Sequence, residues 1–162
     1  MIEKLLAAMM EYYSGDPDRI QHFVKVHSFS KWIGQCEKIG EDALKILEVA
    51  AIVHDIGIKP AMEKYGSSKG TYQEAEGPPI AEAMLKGLGY PQHVIERVCY
   101  LVGHHHTYKN IDGMDYQILV EADFLVNIFE NEMSESTIRE TLHKIFRTKT
   151  GNVYCRLMFD VD

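Results

Sequence analysis

The helical spacing of apolar residues is the feature that most constrains the fold of this chain. Asp16 and Pro17 suit the cap and first turn of a helix. One face of that helix follows at intervals of four, three and four residues, occupied by His22, Val26, Phe29 and Ile33. Strand-like alternation is weak, and only residues 152–159 are ambiguous. The sequence therefore predicts an all-α fold.

Proline and glycine divide the rest of the chain into further helices. We expect helices over residues 17–38, 42–55, 91–103 and 115–131, and one more that Ser134 or Ser136 caps. Residues 59–77 are polar and contain glycine, which predicts an irregular connection. Pro78 and Pro79 are then expected to open a helix that ends near Gly87 or Gly89.

Composition fits a single globular domain over residues 1–162. The formal net charge of −7 argues against a nucleic acid polymer as partner, since that needs clustered Lys and Arg. The three cysteines form no CxxC pair, which favours neither a thiolate zinc site nor a disulfide framework and fits a cytoplasmic location. No apolar run reaches the length of a membrane span, so we expect no membrane partner.

Four ionisable residues fall on apolar faces, and the first is His22. His22 shares its face with Val26, whereas His27 is rotated by about 100° from that residue. We therefore expect His22 to point inward and His27 to lie at the surface or its boundary. Inward placement alone also fits a core histidine that one hydrogen bond satisfies.

His54 and Asp55 close the apolar run of residues 47–53. Buried charges are costly unless they are paired or bound to a metal. On a regular helix the two side chains would diverge by about 100°, but at a helix end loosened by Gly57 both could reach one ion. Imidazole and carboxylate together suit a divalent transition metal.

Asp123 places an acid on an otherwise apolar helical face, four residues after Leu119. No basic residue occurs between Asn110 and Arg139, so a local ion pair along this helix is excluded. Local donors or a distant basic partner remain alternatives to a metal. Between the second and fourth candidates lie His104, His105 and His106, which fit either a solvated loop or an approach to a metal or phosphate group.

The order His22, His54-Asp55, Asp123 resembles the H…HD…D signature of the HD-domain superfamily of metal-dependent phosphohydrolases. "RIQHFVKV" looks like the first helix of that family, "LEVAAIVHDIG" like its central helix, and "EADFLVN" like the helix that carries the last aspartate. The likeness covers about residues 19–128, and residues 132–162 form a helical extension. Each motif occurs in a matching helical context, which makes the ordered set specific.

The resemblance implies a compact HD-domain bundle with a central divalent metal, which the ligand types allow to be Mn, Fe, Co, Ni or Zn. The implied ligands are His22, His54, Asp55 and Asp123. Some branches of the family bind a second metal through further histidines, and His105 and His106 match that region. One histidine expected near residues 74–80 is absent, and Glu74 or Glu76 stands there instead.

The function implied is hydrolysis of a nucleotide or small phosphomonoester by a water that the metal activates. Asp55 could accept the proton of that water, and Glu76, His105 or His106 could act as a second base or contact substrate. Lys59, Lys64 and Lys69 could steer phosphate oxygens, or could simply be solvated.

Three alternatives compete with a phosphohydrolase. A regulatory HD module without catalysis is disfavoured because all four ligand positions are filled. A di-iron oxygenase would need the complete set of ligands for a second metal. A helical interaction protein with purely structural histidines leaves unexplained why all four residues fall on apolar faces.

Overall fold

The computed structural model describes all residues from 1 to 162 and contains nine helices and no strand, which confirms the all-α prediction. The helices are α1 (Ile2–Tyr12), α2 (Pro17–Glu37), α3 (Glu41–Val53), α4 (Ile58–Tyr65), α5 (Gly70–Gly87), α6 (Gln92–Val102), α7 (Met114–Glu130), α8 (Glu135–Ile145) and α9 (Lys149–Phe159). None of these helices is long and apolar enough to cross a membrane.

The caps follow the sequence where it carries side-chain acceptors. Asp16 accepts a hydrogen bond of 3.1 Å from the backbone N–H of Arg19, and Pro17 occupies the first turn of α2. Ser134 caps α8 by accepting from the N–H of Thr137 at 3.3 Å. These side chains satisfy N–H groups that have no partner within the first turn.

Residues 59–77 do not form the irregular connection that their composition predicts. Most of the segment is helical, in α4 and the first part of α5, and Pro78 and Pro79 lie inside α5 instead of opening it. A buried stripe at intervals of four runs through the prolines, formed by Gln73, Gly77, Ala81 and Leu85. The packing of this stripe offsets the backbone hydrogen bonds that the prolines remove. Residues 152–159 are also helical, within α9.

Three helices carry the ionisable residues toward one another. α2, α3 and α7 each pack against the other two, and α1 and α6 cover further sides of α3. α3 is buried almost all round, because its residues 49–53 are all fully buried. One hydrophobic core extends from Leu5 to Val161, and the C-terminal end of α3 meets the middle of α7 inside it.

Candidate metal centre

Three buried side chains from three helices meet at the centre of the bundle. His22 projects from α2, His54 follows the last residue of α3, and Asp123 lies in the middle of α7. The His22 Nε2 atom lies 3.1 Å from Asp123 Oδ1 and 3.3 Å from His54 Nε2. His54 Nε2 lies 3.5 Å from the same Asp123 oxygen. The prediction that His22 points inward is confirmed, since the residue is 3% exposed.

Asp55 joins this group because α3 ends at Val53. The chain turns directly after the helix, and the side chains of residues 54 and 55 approach the same point instead of diverging. Asp55 Oδ2 lies 3.4 Å from His22 Nε2 and 3.6 Å from His54 Nε2. The structure therefore brings together all four residues that the sequence proposes as metal ligands.

A second group lies on the other side of Asp55. Asp55, His105 and His106 each offer a ligand atom within 4.8 Å of the other two. Asp55 Oδ1 lies 3.4 Å from His105 Nε2, so this carboxylate faces both groups. His104 takes no part, because its Nδ1–H donates to the carbonyl of Tyr100 at 2.7 Å and its ring stacks on that tyrosine.

The charges of the centre are coupled. Burial disfavours the imidazolium of His22, but Asp123, Asp55 and Glu130 outweigh it and raise its pKa to about 9. Burial also opposes the charged form of Asp55 and Asp123, yet the neighbouring histidines hold both carboxyl pKa values well below their usual range. His106 behaves differently, since burial and His105 lower its pKa to about 4.

The donor set of each group fits a divalent metal ion. Imidazole nitrogens and carboxylate oxygens are ligands for Mn, Fe, Co, Ni and Zn. The Nε2 atoms of His105 and His106 are buried and have no hydrogen-bond partner, as expected of atoms that face a ligand. Both groups could therefore hold a metal through residues already in place.

Glu76, Lys64 and Lys59 make their side-chain contacts outside these two groups. The Glu76 carboxylate accepts hydrogen bonds of 2.8 Å from Lys64 Nζ and from the hydroxyl of Tyr65. Lys59 lies over the ring of Tyr12, and Lys69 is an exposed residue at the start of α5. Their roles in catalysis or substrate binding stay predictions.

Glu74 has a structural contact that the sequence does not reveal. Its carboxylate accepts hydrogen bonds of 3.0 Å from the backbone N–H of His106 and from the hydroxyl of Thr107. These bonds hold the turn that carries His105 and His106. The partners are more than thirty residues apart, so no local pattern could have found this link.

A polar cleft reaches His22 from the surface. The sequence did not predict the positively charged residues that line this cleft. The cleft has a volume of about 590 Å³ and no hydrophobic lining. Arg19 and Lys25, one helical turn before and after His22, supply its positive charges. Arg19 Nη1 lies 3.8 Å from Asp55 Oδ2. This spacing on α2 is the signal that could have identified both residues.

Comparison with known proteins agrees with this architecture. The HD domain family matches residues 19–145, and the chain belongs to that family. A crystal structure of a predicted HD superfamily hydrolase from an uncultured Thermotogales bacterium is similar in fold, with a TM-score of 0.69 and 20% identity. The alignment covers 98% of this chain and 84% of the other. No curated protein matches significantly. Family membership supports a hydrolase-type domain of the metal-dependent phosphohydrolase class.

Proposed function

We propose that this protein is a metal-dependent phosphohydrolase that acts on a nucleotide or a small phosphomonoester. The observation that carries the proposal is the convergence of two imidazoles and two carboxylates at one buried point of an HD domain. Such a set leaves positions open for water and substrate when it holds a divalent ion. The four residues follow one another in the order that resembles the H…HD…D signature, and all lie within the range that the HD domain family matches.

His22, His54, Asp55 and Asp123 would hold the metal. A divalent ion bound there supplies Lewis acidity to a phosphoryl oxygen and lowers the pKa of a water molecule. Asp55, His105 and His106 are the residues that would hold a second ion. Because Asp55 faces both groups, substitution of this residue would affect both sites at once.

The side chains around the centre supply proton acceptors. Asp55 is ionised at neutral pH, since its pKa lies below the usual range, and it can accept a proton from a water molecule beside it. His106 is neutral at the same pH, so one of its two ring nitrogens, Nδ1 beside the Tyr108 hydroxyl or the unpartnered Nε2, carries a lone pair. We assign Asp55 as the first proton acceptor and His105 or His106 as a second acceptor or a substrate contact.

Arg19 is the cation best placed for the substrate phosphate. Its guanidinium stands at the mouth of the centre, 3.8 Å from an Asp55 oxygen, with a side chain 37% exposed. Arginine forms paired hydrogen bonds with phosphate oxygens. Lys59 and Lys64 contact Tyr12 and Glu76 instead. A phosphate group held beside Asp55 would therefore lie within reach of the Arg19 guanidinium.

The first test is phosphate release from a panel of nucleotides and phosphomonoesters. Chelator-treated protein would receive Mn²⁺, Co²⁺, Ni²⁺, Mg²⁺ or Zn²⁺ in turn. We expect metal-dependent release that Asp55→Asn reduces by about 100-fold or more, because the variant loses a charged ligand and a proton acceptor. The matched control, Asp42→Asn, removes a carboxylate that is 73% exposed and should retain wild-type release. Release that needs no metal, or that survives in Asp55→Asn, contradicts the proposal.

The second group of ligand atoms favours one further candidate, a di-iron oxygenase. Iron bound at both groups and oxygen uptake with Fe²⁺ would support this activity. Metal binding without phosphate release or oxygen uptake would indicate a regulatory HD module. Full phosphate release with a single equivalent of metal would show that hydrolysis does not require a metal ion at the second group.

A further inference from the structure

Glu130 makes a contact with the centre that the H…HD…D pattern does not include. It is the last residue of α7, seven positions after Asp123 and hence on the same helical face. Its Oε2 atom lies 2.7 Å from His22 Nδ1, on the side of the ring opposite to the cluster. Its other oxygen lies 2.7 Å from Lys25 Nζ. The carboxylate is therefore held at both oxygens.

The three clustered histidines satisfy Nδ1 in two different ways. His54 Nδ1–H donates to the carbonyl of Ala51 at 2.9 Å, and His105 Nδ1–H donates to the carbonyl of Val102 at 2.8 Å. Both acceptors are near the ends of α3 and α6, where the last carbonyls of a helix are free. His22 has no such choice, because it lies within α2, where carbonyls one turn earlier are used by the helix itself. Its acceptor must come from another element.

We propose that Glu130 is a positioning residue that sets the tautomer and orientation of His22. When the ring of His22 is neutral, as it must be to bind a metal, the Glu130 carboxylate accepts from Nδ1–H, keeps the one remaining proton on that nitrogen and leaves the Nε2 lone pair directed at Asp55, His54 and Asp123. Partners of this kind tune the affinity of a metal site without touching the metal. The inference rests on the proposed function only in that the cluster binds a metal ion.

Lys25 makes a substitution at Glu130 informative. In Glu130→Gln a single oxygen remains, and the ammonium of Lys25 can only donate, so it takes that oxygen. The amide NH₂ then faces His22 Nδ1 and favours the tautomer with the proton on Nε2. That proton points into the cluster and blocks the ligand position even after His22 has lost its other proton, which the wild-type tautomer does not do. Lys25→Met in the same chain frees the amide oxygen for Nδ1–H and restores the ligand tautomer.

The experiment measures metal affinity directly, by calorimetric titration of chelator-treated full-length protein with Mn²⁺ and with Zn²⁺. We expect Glu130→Gln to raise the dissociation constant for the metal by about 10–100-fold. Glu132→Gln removes the same charge at an exposed position two residues away and should bind as the wild type does. If Glu130→Gln loses about 100-fold in metal affinity, the double variant Lys25→Met/Glu130→Gln should regain at least about tenfold of it. Circular dichroism of the metal-free variants checks that each is folded.

The outcomes separate this inference from the proposed function. Wild-type affinity in Glu130→Gln overturns the positioning role, and so does a double variant that binds as weakly as the single one. A wild-type protein that binds metal but releases no phosphate contradicts the hydrolase while the Glu130 result stands. A wild-type protein that binds neither ion contradicts the metal-dependent function and the inference together.

Discussion

Glu121 is a fully buried acid that takes no part in the candidate centre. Its carboxylate accepts hydrogen bonds from the backbone N–H groups of Arg147 and Thr148, at 2.6 and 2.9 Å, and from the hydroxyl of Thr148 at 2.5 Å. Gln117 donates to it at 2.7 Å. These bonds attach the start of α9 to the middle of α7. A buried carboxylate is tolerated here because every oxygen has donors.

We expect Glu121→Gln to lower the free energy of unfolding by about 1–3 kcal/mol, because one oxygen becomes an NH₂ group that faces the Thr148 donor. Glu121→Ala should cost about 3–5 kcal/mol, since the backbone N–H groups of Arg147 and Thr148 lose their acceptor and a cavity forms. Urea denaturation measures both values. The exposed Glu96→Gln serves as control and should change stability by no more than about 0.5 kcal/mol. Equal stability of Glu121→Gln and wild type would mean that these bonds contribute nothing net.

At the residue scale, helical periodicity locates some site residues and misses others. It identified His22, His54 and Asp123 because each interrupts an apolar face of its own helix. Glu121 and Glu130 escaped because their meaning depends on partners 27 and 108 positions away. Lys59 and Lys64 were proposed because they lie in the polar segment 59–77, and Glu76 because it stands where the family resemblance places a histidine. Their helices direct them to Tyr12 and to each other, which sequence proximity alone could not reveal.

At the scale of elements, Gly57 sets how closely α4 and α5 approach the centre. A Cβ atom at Gly57 would lie 2.4 Å from the carbonyl oxygen of Gln73 and 2.9 Å from the backbone nitrogen of Gly77. The φ angle of Gly57 is −75°, so close approach and not backbone freedom requires glycine. This contact also explains why α5 runs through Pro78 and Pro79, since its buried stripe is fixed against the turn after Asp55. Proline composition alone predicted a break there.

Gly57→Ala should destabilise the protein by about 1–3 kcal/mol, because a methyl group must displace backbone atoms of α5. Asp55 lies two residues away, so we also expect weaker metal binding. Gly87→Ala, at the far end of α5, meets no atom within 4 Å and should be neutral or slightly stabilising. Thermal unfolding and metal titration of the two variants provide the comparison. Equal stability and equal metal affinity of the two variants would show that the backbone of α5 can move away from residue 57 without loss of stability.

Across the whole molecule, the bundle concentrates charge at its least hydrated point. Three mutually packed helices bury two imidazoles and two carboxylates that come from positions 22 to 123 of the chain. Without a metal, the carboxylates are stabilised by protonated His22, whose pKa rises to about 9. The carboxylates that would bind a metal ion therefore stabilise the metal-free fold by their attraction to the protonated ring of His22. Proton and metal compete for His22, which couples stability, pH and metal binding.

This competition predicts the pH dependence of the metal-free protein. The folded pKa of His22 lies above its unfolded value of 6.5, so its contribution is complete below pH 6.5 and is lost as pH rises through 9. The pKa of His105 is also raised, which adds in the same direction. The carboxyl pKa values of Asp55 and Asp123 are lowered, so the contribution of these groups to the free energy of unfolding changes only below about pH 4. It is constant between pH 6.5 and 9.

We therefore expect the free energy of unfolding of chelator-treated protein to fall by on the order of 3 kcal/mol between pH 6.5 and 9. Metal affinity should rise over the same interval, because the ion no longer displaces a proton from His22. Urea denaturation at four pH values, with and without saturating Zn²⁺, measures both trends. His22→Gln should flatten the metal-free profile, whereas the exposed His143→Gln should leave it unchanged. A wild-type profile that is flat from pH 6.5 to 9 would show that the buried carboxylates do not hold a proton on His22.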